Sequence, residues 1–447
     1  MPQDPRNAKA GMASLKTRPI ERNLALTRLG LGAGARIAAH EFANLFRGKD
    51  GRVASDRTFY VEQAQRLADE LGRLKGSVMK VGQMLSLYGQ YFLPEEAVRV
   101  LAQLQDDTPA VAWDAVAPIL DRALGRARLK ELQIERRPLA SASLAQVHRA
   151  RRLVDGLELV LKIQYPGVAD AIESDITTMA RLIAMTRLAP KGLNLESVYA
   201  EVKEMLHREV DYLAEARHTQ AFGERLAGDA RYAVPRVLPE YLSDQVLALT
   251  FEPGLHVRDP QVQALPQARR DAIGQAAFEL FLKEFFEWGL VQTDPHFGNY
   301  KVRLGAGGAP DVLVTLDFGA TRAFGRGFID AYRDIVHGAM TGDRDEIRRG
   351  GEGIGLMSAS FPAPVRESFY ELCELIVEPF ADAAYDWAAS DLPRRVTDRI
   401  ARNAMTRHFQ IPPREIVFLH RRMAGVFILL ATLRCRLNVH RTLMQVL

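Results

Sequence analysis

The sequence predicts an α+β fold with two lobes, preceded by a helical extension and a basic N-terminal arm. Two observations carry this prediction. Residues 136–165 alternate apolar and polar side chains on either side of the turn "VDG", a pattern that predicts a β-hairpin. Long segments before and after it repeat apolar residues at helical spacing, so most of the remaining chain is expected to be helical.

Composition limits the class of protein. The chain has 447 residues, of which 47% are hydrophobic and 26% charged, so it is too long for one core and too balanced for disorder. The net charge is only +4, yet residues 1–49 alone hold nine Lys or Arg against three Asp or Glu. The length predicts two or three packed units. Because the basic excess belongs to this arm and not to a groove, the sequence predicts no nucleic-acid partner.

Cysteine content and hydropathy bear on the cellular setting. Cys373 and Cys435 are too few and too far apart for a disulfide framework or a zinc site, which fits a reducing compartment. No stretch reaches the ~20 apolar residues that a membrane-spanning helix needs. The apolar stretch 423–433 lies between arginines and is expected to form a buried helix. We therefore expect a cytoplasmic protein without a transmembrane segment.

The basic arm, residues 1–59, contains a stretch at 24–46 with helical periodicity and interspersed basic residues. A helix on a membrane surface, a targeting signal and a helix that packs on its own protein all remain open for it. The glycines at 30–35 follow no strand and therefore do not predict a phosphate-binding loop.

Residues 60–135 are predicted to form a helical extension. Within it, "KVGQ" places Gly82 in mid-helix, where glycine costs about 1 kcal/mol relative to alanine and indicates a close approach or a break. Lys80 and Gln83 are three residues apart and share a helix face. They could reach one target together, or they could be ordinary surface residues.

The hairpin carries two candidate nucleotide contacts. Small residues precede its first strand in "PLASAS" at 138–143, and such residues let the backbone approach a bulky anion. Lys162 lies in the second strand between Leu161 and Ile163, where its ammonium group needs either solvent or a carboxylate partner.

Candidate partners for Lys162 follow at 197–218, where the periodicity predicts a single helix. It carries Glu209, Asp211 and Glu215. Glu209 and Glu215 are six residues apart, so their carboxylates face different directions and could serve different cations. The apolar stretch 244–254 is then predicted to be a buried strand that ends at a joint between the two lobes.

The stretch 291–321 places Asp294, Asn299 and Asp317 among turn residues, and Asp317 follows a short apolar strand. Carboxylate and amide oxygens are ligands that suit Mg²⁺, which also takes phosphate oxygens. His296 could act as a base or merely cap the turn. The spacing therefore predicts a site for a divalent cation and a phosphate group.

Five signals occur in one order: a small-residue loop, a strand Lys, a helix Glu, an Asp with Asn five residues later, and Asp-Phe-Gly at a strand end. This is the order found in kinase-like phosphoryl transfer. In that scheme Lys162 holds the α and β phosphates and pairs with Glu215. Asn299 and Asp317 bind Mg²⁺, and Asp294 orients or deprotonates an acceptor.

The chain also resembles the UbiB/AarF/ADCK group of atypical kinase-like proteins, which is linked to ubiquinone biosynthesis. The resemblance spans about residues 60 to 435. It rests on "KVGQ" at 80–83, "PLASASLAQVHRA" at 138–150, "LKIQYPGV" at 161–168, "EVDYLAEA" at 209–216, "DPHFGN" at 294–299 and "LDFG" at 316–319.

This resemblance implies a two-lobed protein-kinase-like fold that binds ATP and Mg²⁺ between its lobes. It implies ATPase activity rather than protein phosphorylation, and peripheral association with membranes that hold quinone precursors. It assigns Lys80, with Gly82 and Gln83, to a helix that covers the nucleotide site and contacts Glu209 and Asp211. The positions assigned to nucleotide binding are Ala140, Ser141, Ala142, Ser143, Lys162 and Glu252.

Three positions depart from the pattern of that group. Ser141 replaces an alanine, Gln292 stands where His is common, and Phe297 stands where Pro is common. None of them removes a predicted ligand. No Ala-Pro-Glu signal follows Asp317, so docking of a peptide substrate is not expected.

The resulting prediction divides the chain into the arm (1–59), the helical extension (60–135), an N-lobe (136–252) and a helical C-lobe (253–447). It describes an ATPase that supports biosynthesis of ubiquinone or a related isoprenoid lipid. A catalytically silent scaffold and a small-molecule kinase remain alternatives. Expected partners are ATP, a membrane lipid or quinone precursor and quinone-biosynthesis enzymes, and homodimer formation is left open.

Overall fold

The computed structural model describes residues 110–142, 144–186, 196–294, 296–404 and 412–447, together with Thr58, Val61, Glu62 and Gln65. The chain divides into two compact units. The first unit takes residues up to 214 and residues 237–251, and the second takes residues 215–236 and 252–447.

The first unit combines an antiparallel sheet with helices. Its helices are α1 (Trp113–Leu129), α2 (Val168–Thr186) and α3 (Glu196–Glu209), and α4 (Tyr212–Leu226) begins in it. Its strands are β1 (Leu132–Ile134), β2 (Ala140–Ser141), β3 (Ala145–Arg152), β4 (Glu158–Gln164) and, after the second-unit strand β5 (Tyr232–Ala233), β6 (Val246–Thr250). The sheet order is β1-β3-β4-β6. The short strand β2 pairs antiparallel with the first residues of β3.

The predicted hairpin is confirmed as β3 and β4, and the predicted strand at 244–254 is confirmed as β6. Alternation along β4 explains its place in the sheet: Leu159, Leu161 and Ile163 are fully buried in the core of this unit. Lys162 therefore projects from the opposite face, with Val147 and Leu247 as its neighbours on the adjoining strands.

The predicted single helix over 197–218 is wrong, because the structure has two helices that meet at residues 210–211. The side chain of Asp211 accepts a hydrogen bond from the backbone N–H of Ala214 at 2.9 Å, as an N-terminal cap does. Gln164 Nε2 donates to the carbonyl oxygen of Val210 at 2.6 Å, so the backbone of the break is hydrogen-bonded. A capping aspartate and a distant amide together stabilise this interruption.

In the residues that the structure describes, the second unit is mostly helical and forms three small sheets. Its helices after α4 are α5 (Pro260–Gln263), α6 (Gln267–Leu282), α7 (Arg326–Thr341), α8 (Arg344–Gly353), α9 (Ala363–Ile376), α10 (Leu392–Ala404), α11 (Arg414–Thr432) and α12 (His440–Met444). Its strands are β5 (Tyr232–Ala233), β7 (Leu255–His256), β8 (Leu290–Gln292), β9 (Tyr300–Arg303), β10 (Val312–Thr315), β11 (Thr321–Ala323), β12 (Tyr385–Asp386) and β13 (Arg436–Leu437). The sheets are β5-β10-β9-β7, β8-β11 and β12-β13.

Helix α11 confirms the buried helix predicted from the apolar stretch 423–433, and it packs against α6 in the core of this unit. The C-lobe that was predicted to be helical over 253–447 also contains strands, among them β12 and β13, which pair antiparallel. Among the residues that the structure describes, no helix is long and apolar enough to cross a membrane.

Candidate active site

The predicted phosphoryl-transfer loop connects β8 to β9 in the second unit. The backbone N–H of Asn299 donates to His296 O at 2.9 Å, which tightens the loop. The amide Nδ2 of Asn299 donates to Asp294 twice, to the carboxylate Oδ2 at 3.1 Å and to the carbonyl oxygen at 3.3 Å. The five-residue spacing therefore closes a tight turn in which the two side chains meet.

Asp317 joins this loop through the backbone. It follows β10, and the N–H of the preceding Leu316 donates to Asn299 O at 2.9 Å. Its carboxylate Oδ1 accepts the N–H of Gly319 at 2.9 Å, which fixes the turn after the strand. The antiparallel pair of β9 and β10 thus brings the backbones of Asn299 and Asp317 close together.

Gln292 ties the two acidic segments together. Its side chain is buried, Oε1 accepts the N–H of Asp294 at 3.0 Å, and Nε2 donates to Asp317 O at 3.1 Å. In the sequence it stood out only as a departure from a common histidine. Its amide carries both a donor and an acceptor, which is what this bridge requires.

Glu215 belongs to the same cluster. It is only 2% exposed, and a Cβ placed on Gly319 would lie 3.1 Å from its Oε2 and 3.3 Å from Asp317 Oδ1. The helix acid predicted to pair with Lys162 therefore lies against the Asp-Phe-Gly turn. Phe318, fully buried, packs on Phe222 of α4 with ring centroids 4.6 Å apart and holds the turn to the helix.

Arg421 of α11 reaches the candidate catalytic carboxylate. Its Nη2 lies 2.8 Å from Asp294 Oδ1, and both side chains are 22% exposed. With Asn299 on Oδ2, each carboxylate oxygen of Asp294 accepts at least one hydrogen bond. Donors on both oxygens fix the orientation of the carboxylate.

The neighbouring Arg422 forms a buried ion pair with Glu284, with Nη2 2.9 Å from Oε1 and side chains 4% and 2% exposed. Arg422 also donates to the hydroxyl of Tyr300. Burial disfavours the charged guanidinium, but the adjacent Glu284 carboxylate prevails and holds the pKa of Arg422 above its ordinary value. Burial raises the pKa of Tyr300 to about 12, so its hydroxyl stays protonated.

The donor chemistry of the loop fits Mg²⁺. Asn299 uses its amide nitrogen on Asp294, which leaves Oδ1 as a neutral oxygen ligand, and Asp317 supplies a carboxylate at the end of β10. Over the described ranges, no three His, Cys, Asp or Glu side chains converge as an all-protein metal site. A Mg²⁺ ion does not require one, since it keeps waters and shares phosphate oxygens with its substrate.

In the first unit, the small-residue run and Lys162 differ in their exposure to solvent. Ala140 and Ser141 are exposed in β2, and the N–H of Ala142 donates to Ala145 O at 2.8 Å in the turn that follows. Lys162 is half-buried, and its Nζ lies 5.5 Å from the ring centroid of buried Tyr212. Ser143, Lys80, Gly82 and Gln83 lie outside the described residues.

The remaining predicted site residues have structural contacts. Glu209 ends α3 and is half-buried, whereas Asp211 caps α4. The carboxylate of Glu252 binds Arg303. His296 is exposed and its Nδ1 accepts the N–H of Gly298 at 3.0 Å, as expected of a turn cap. Sequence reasoning missed Glu284 and the roles of Gln292 and Arg421, and no local signal marks them.

Comparison with known proteins decides the family. A family model described as the ABC1 atypical kinase-like domain matches residues 103–350. The chain belongs to this ABC1 family. The predicted resemblance and the α+β kinase-like fold class are both confirmed.

Relatives extend the match beyond that domain. The chain is 31% identical over 452 residues to the rat protein named atypical kinase COQ8B, mitochondrial, covering 98% of this chain and 83% of the relative. It is 29% identical over 442 residues to the Saccharomyces cerevisiae protein named atypical kinase COQ8, mitochondrial, covering 96% and 84%. A solved Mycobacterium tuberculosis structure, an Rv3197–erythromycin complex, is similar with a TM-score of 0.60 at 26% identity, covering 89% of this chain and 98% of that one.

Proposed function

We propose that this ABC1-family chain is a Mg²⁺-dependent ATPase that supports biosynthesis of ubiquinone or a related isoprenoid lipid. The observation that carries the proposal is the hydrogen-bonded arrangement of Asp294, Asn299 and Asp317 on two joined segments of one unit. Names of the rat and yeast relatives support the kinase-like class. The link to quinone lipids comes from the resemblance to the ubiquinone-related group.

Each residue of the proposed site has a distinct role. Asn299 and Asp317 would hold Mg²⁺, which would neutralise charge on the β and γ phosphates when bound. Lys162 would contact the α and β phosphates, and Ala140, Ser141, Ala142 and Ser143 would let backbone approach them. Glu215 would position the Asp-Phe-Gly turn and serve as the partner of Lys162, while the strand-end Glu252 would border the nucleotide.

Asp294 is the proposed catalytic carboxylate. Because its two oxygens accept hydrogen bonds from Arg421 and Asn299, its orientation is fixed. Such a carboxylate is well suited to orienting a water molecule toward the γ phosphate. The absence of an Ala-Pro-Glu signal after Asp317 favours hydrolysis of ATP over transfer to a protein hydroxyl.

The proposal includes the membrane. We expect a cytoplasmic protein that associates peripherally with a lipid surface and acts on a membrane lipid or quinone precursor alongside biosynthetic enzymes. Lys80, Gly82 and Gln83 would cover the nucleotide site, with Lys80 near Glu209 and Asp211. The basic arm, with its nine Lys or Arg in residues 1–49, suits attraction to anionic lipid headgroups.

Phosphate release from ATP by the purified chain tests the proposal. It should be measured with and without anionic phosphatidylglycerol vesicles and a phenol that mimics a quinone precursor. We expect turnover that rises several-fold with vesicles and phenol and disappears in Asp317→Asn. A phosphorylated phenol would instead identify a small-molecule kinase. Bound nucleotide without turnover under every condition would identify a silent scaffold.

A further inference from the structure

Two consecutive arginines of α11 contact the segment that carries Asp294. Arg422 is the buried one, and through Glu284 and Tyr300 it reaches both ends of the loop. The Oε2 atom of Glu284 accepts the backbone N–H of Gln292 at 3.3 Å, just before the loop, and Tyr300 immediately follows Asn299. The loop is therefore held to α11 from both flanks.

This anchoring determines where Arg421 lies. Glu284 belongs to a π-helical turn, Lys283–Glu287, that extends α6, and its carboxylate receives two donors from Arg422 at 3.1 and 2.9 Å. Because Arg421 directly precedes Arg422 on α11, fixing the position of Arg422 also fixes the backbone from which the Arg421 side chain extends. Its guanidinium then donates to Asp294 Oδ1 between the two anchored ends.

The loop supplies no lysine or arginine of its own. Residues 293–299 read Thr-Asp-Pro-His-Phe-Gly-Asn, and the ring of His296 is engaged in capping Gly298. Arg421, a cation that contacts Asp294, comes from a position 127 residues further along the chain. Asn299 holds Oδ2 from the other side, so the carboxylate plane is defined by two donors that do not depend on substrate.

We infer that Arg421 is a positioning residue for the reaction: it acts through Asp294 by holding that carboxylate in a fixed orientation toward the attacking water. This inference rests on the proposed ATPase function. It differs from an autoinhibitory contact, in which the same ion pair would have to break before Asp294 could act. In the positioning role, the pair persists during turnover, so removing the guanidinium slows the reaction without weakening nucleotide binding.

Substitution of Arg421 separates these possibilities. Misplacement of a catalytic group can cost on the order of 10²-fold in rate, so Arg421→Gln is expected to lower kcat by about 10- to 100-fold. The nucleotide Kd, measured with a fluorescent ATP analogue, should stay within about two-fold of the wild-type value, because the substitution does not change the interactions that bind the nucleotide before reaction. Arg421→Lys should recover part of the rate. Arg414→Gln, at an exposed residue of the same helix, is the matched control.

A double-mutant cycle with Asp294→Asn supplies the readout that a structural role would not give. Measured as single turnovers with excess protein, Asp294→Asn and the double variant should have the same rate, because Arg421 acts only through Asp294. Fully additive losses, or a fall in melting temperature that accounts for the lost activity, would overturn the inference. So would an Arg421→Gln rate at or above wild type, which would indicate autoinhibition.

Failure of this inference and failure of the proposed function are distinguishable. If wild-type protein releases phosphate and Asp317→Asn does not, while Arg421→Gln behaves like Arg414→Gln, only the role of Arg421 is wrong. If wild-type protein shows no turnover that Asp317→Asn removes, the ATPase proposal fails and the role of Arg421 fails with it.

Discussion

The buried carboxylate of Glu215 lies directly against Gly319, so that a Cβ on this glycine would stand 3.1 Å from Glu215 Oε2. The same Cβ would lie 3.3 Å from Asp317 Oδ1. Two proposed functional carboxylates thus border one backbone position that has room for hydrogen but little for a methyl group. Glycine at residue 319 lets the helix acid and the strand-end acid approach each other.

Gly319→Ala is therefore expected to impair the site more than the fold. The added methyl group must displace Glu215 or Asp317 by a few tenths of an ångström, and overpacking of this kind typically costs about 1–3 kcal/mol. Phosphate release should fall by about ten-fold or more. Gly327→Ala is the control, because a Cβ at that helical glycine meets nothing within 4 Å. Equal activity of the two variants would contradict the proposed role of this contact.

Glu284→Gln tests the anchor of the loop. Removing one partner of a buried ion pair leaves the other charge uncompensated and typically costs about 3–5 kcal/mol of unfolding free energy. Chemical denaturation should show a loss of this size. Asp345→Asn, in an ion pair whose carboxylate is 83% exposed, should change stability by less than about 1 kcal/mol. If Glu284→Gln loses as little stability as Asp345→Asn is expected to lose, the folded state does not depend on the ion pair of Arg422 with Glu284.

His420 predicts a specific pH dependence of stability. Burial lowers its pKa to about 4, below the ordinary value of 6.5, so the folded chain favours the neutral ring. This contribution is complete above pH 6.5 and is lost as pH falls toward 4. The expected loss is on the order of 1–3 kcal/mol.

Denaturation curves of wild type and His420→Gln between pH 7 and 4 measure this effect. Glutamine can keep a hydrogen bond to the Tyr332 hydroxyl, which lies 3.2 Å from His420 Nε2, yet it does not titrate. The variant should therefore lose less stability over this range. His256→Gln, at an exposed histidine, is the control. A wild-type slope in His420→Gln would refute the assignment.

Substitution of Lys80 tests whether the helical extension covers the nucleotide site. If the "KVGQ" helix covers the nucleotide, Lys80→Ala should change both nucleotide affinity and turnover by several-fold, because the charged contact of Lys80 with Glu209 and Asp211 is lost. Lys75→Ala, five residues earlier in the predicted helical extension, should have little effect. Binding of a fluorescent ATP analogue and phosphate release together measure both quantities. Unchanged values for Lys80→Ala would remove this helix from the site.

Local patterns predicted the parts of the fold that depend on near neighbours. Alternation placed Lys162 on a strand of the hairpin, and five-residue spacing brought Asn299 to Asp294. The prediction of one helix over 197–218 was wrong because a cap by Asp211 and a hydrogen bond from Gln164 stabilise a break in it. The spacing of apolar residues indicates neither interaction. Arg421 and Arg422 contact partners 127 and 138 residues away, so their contribution emerges only from tertiary packing.

The Mg²⁺ dependence of phosphate release, with Asp317→Asn beside wild type, tests the central claim most directly. Asp345→Asn is the matched control on an exposed aspartate. We expect wild-type and control turnover to require Mg²⁺ and to vanish with EDTA, and Asp317→Asn to lose on the order of 10²-fold or more while remaining folded. Wild-type turnover in Asp317→Asn, or turnover that persists without Mg²⁺, would contradict the proposed site.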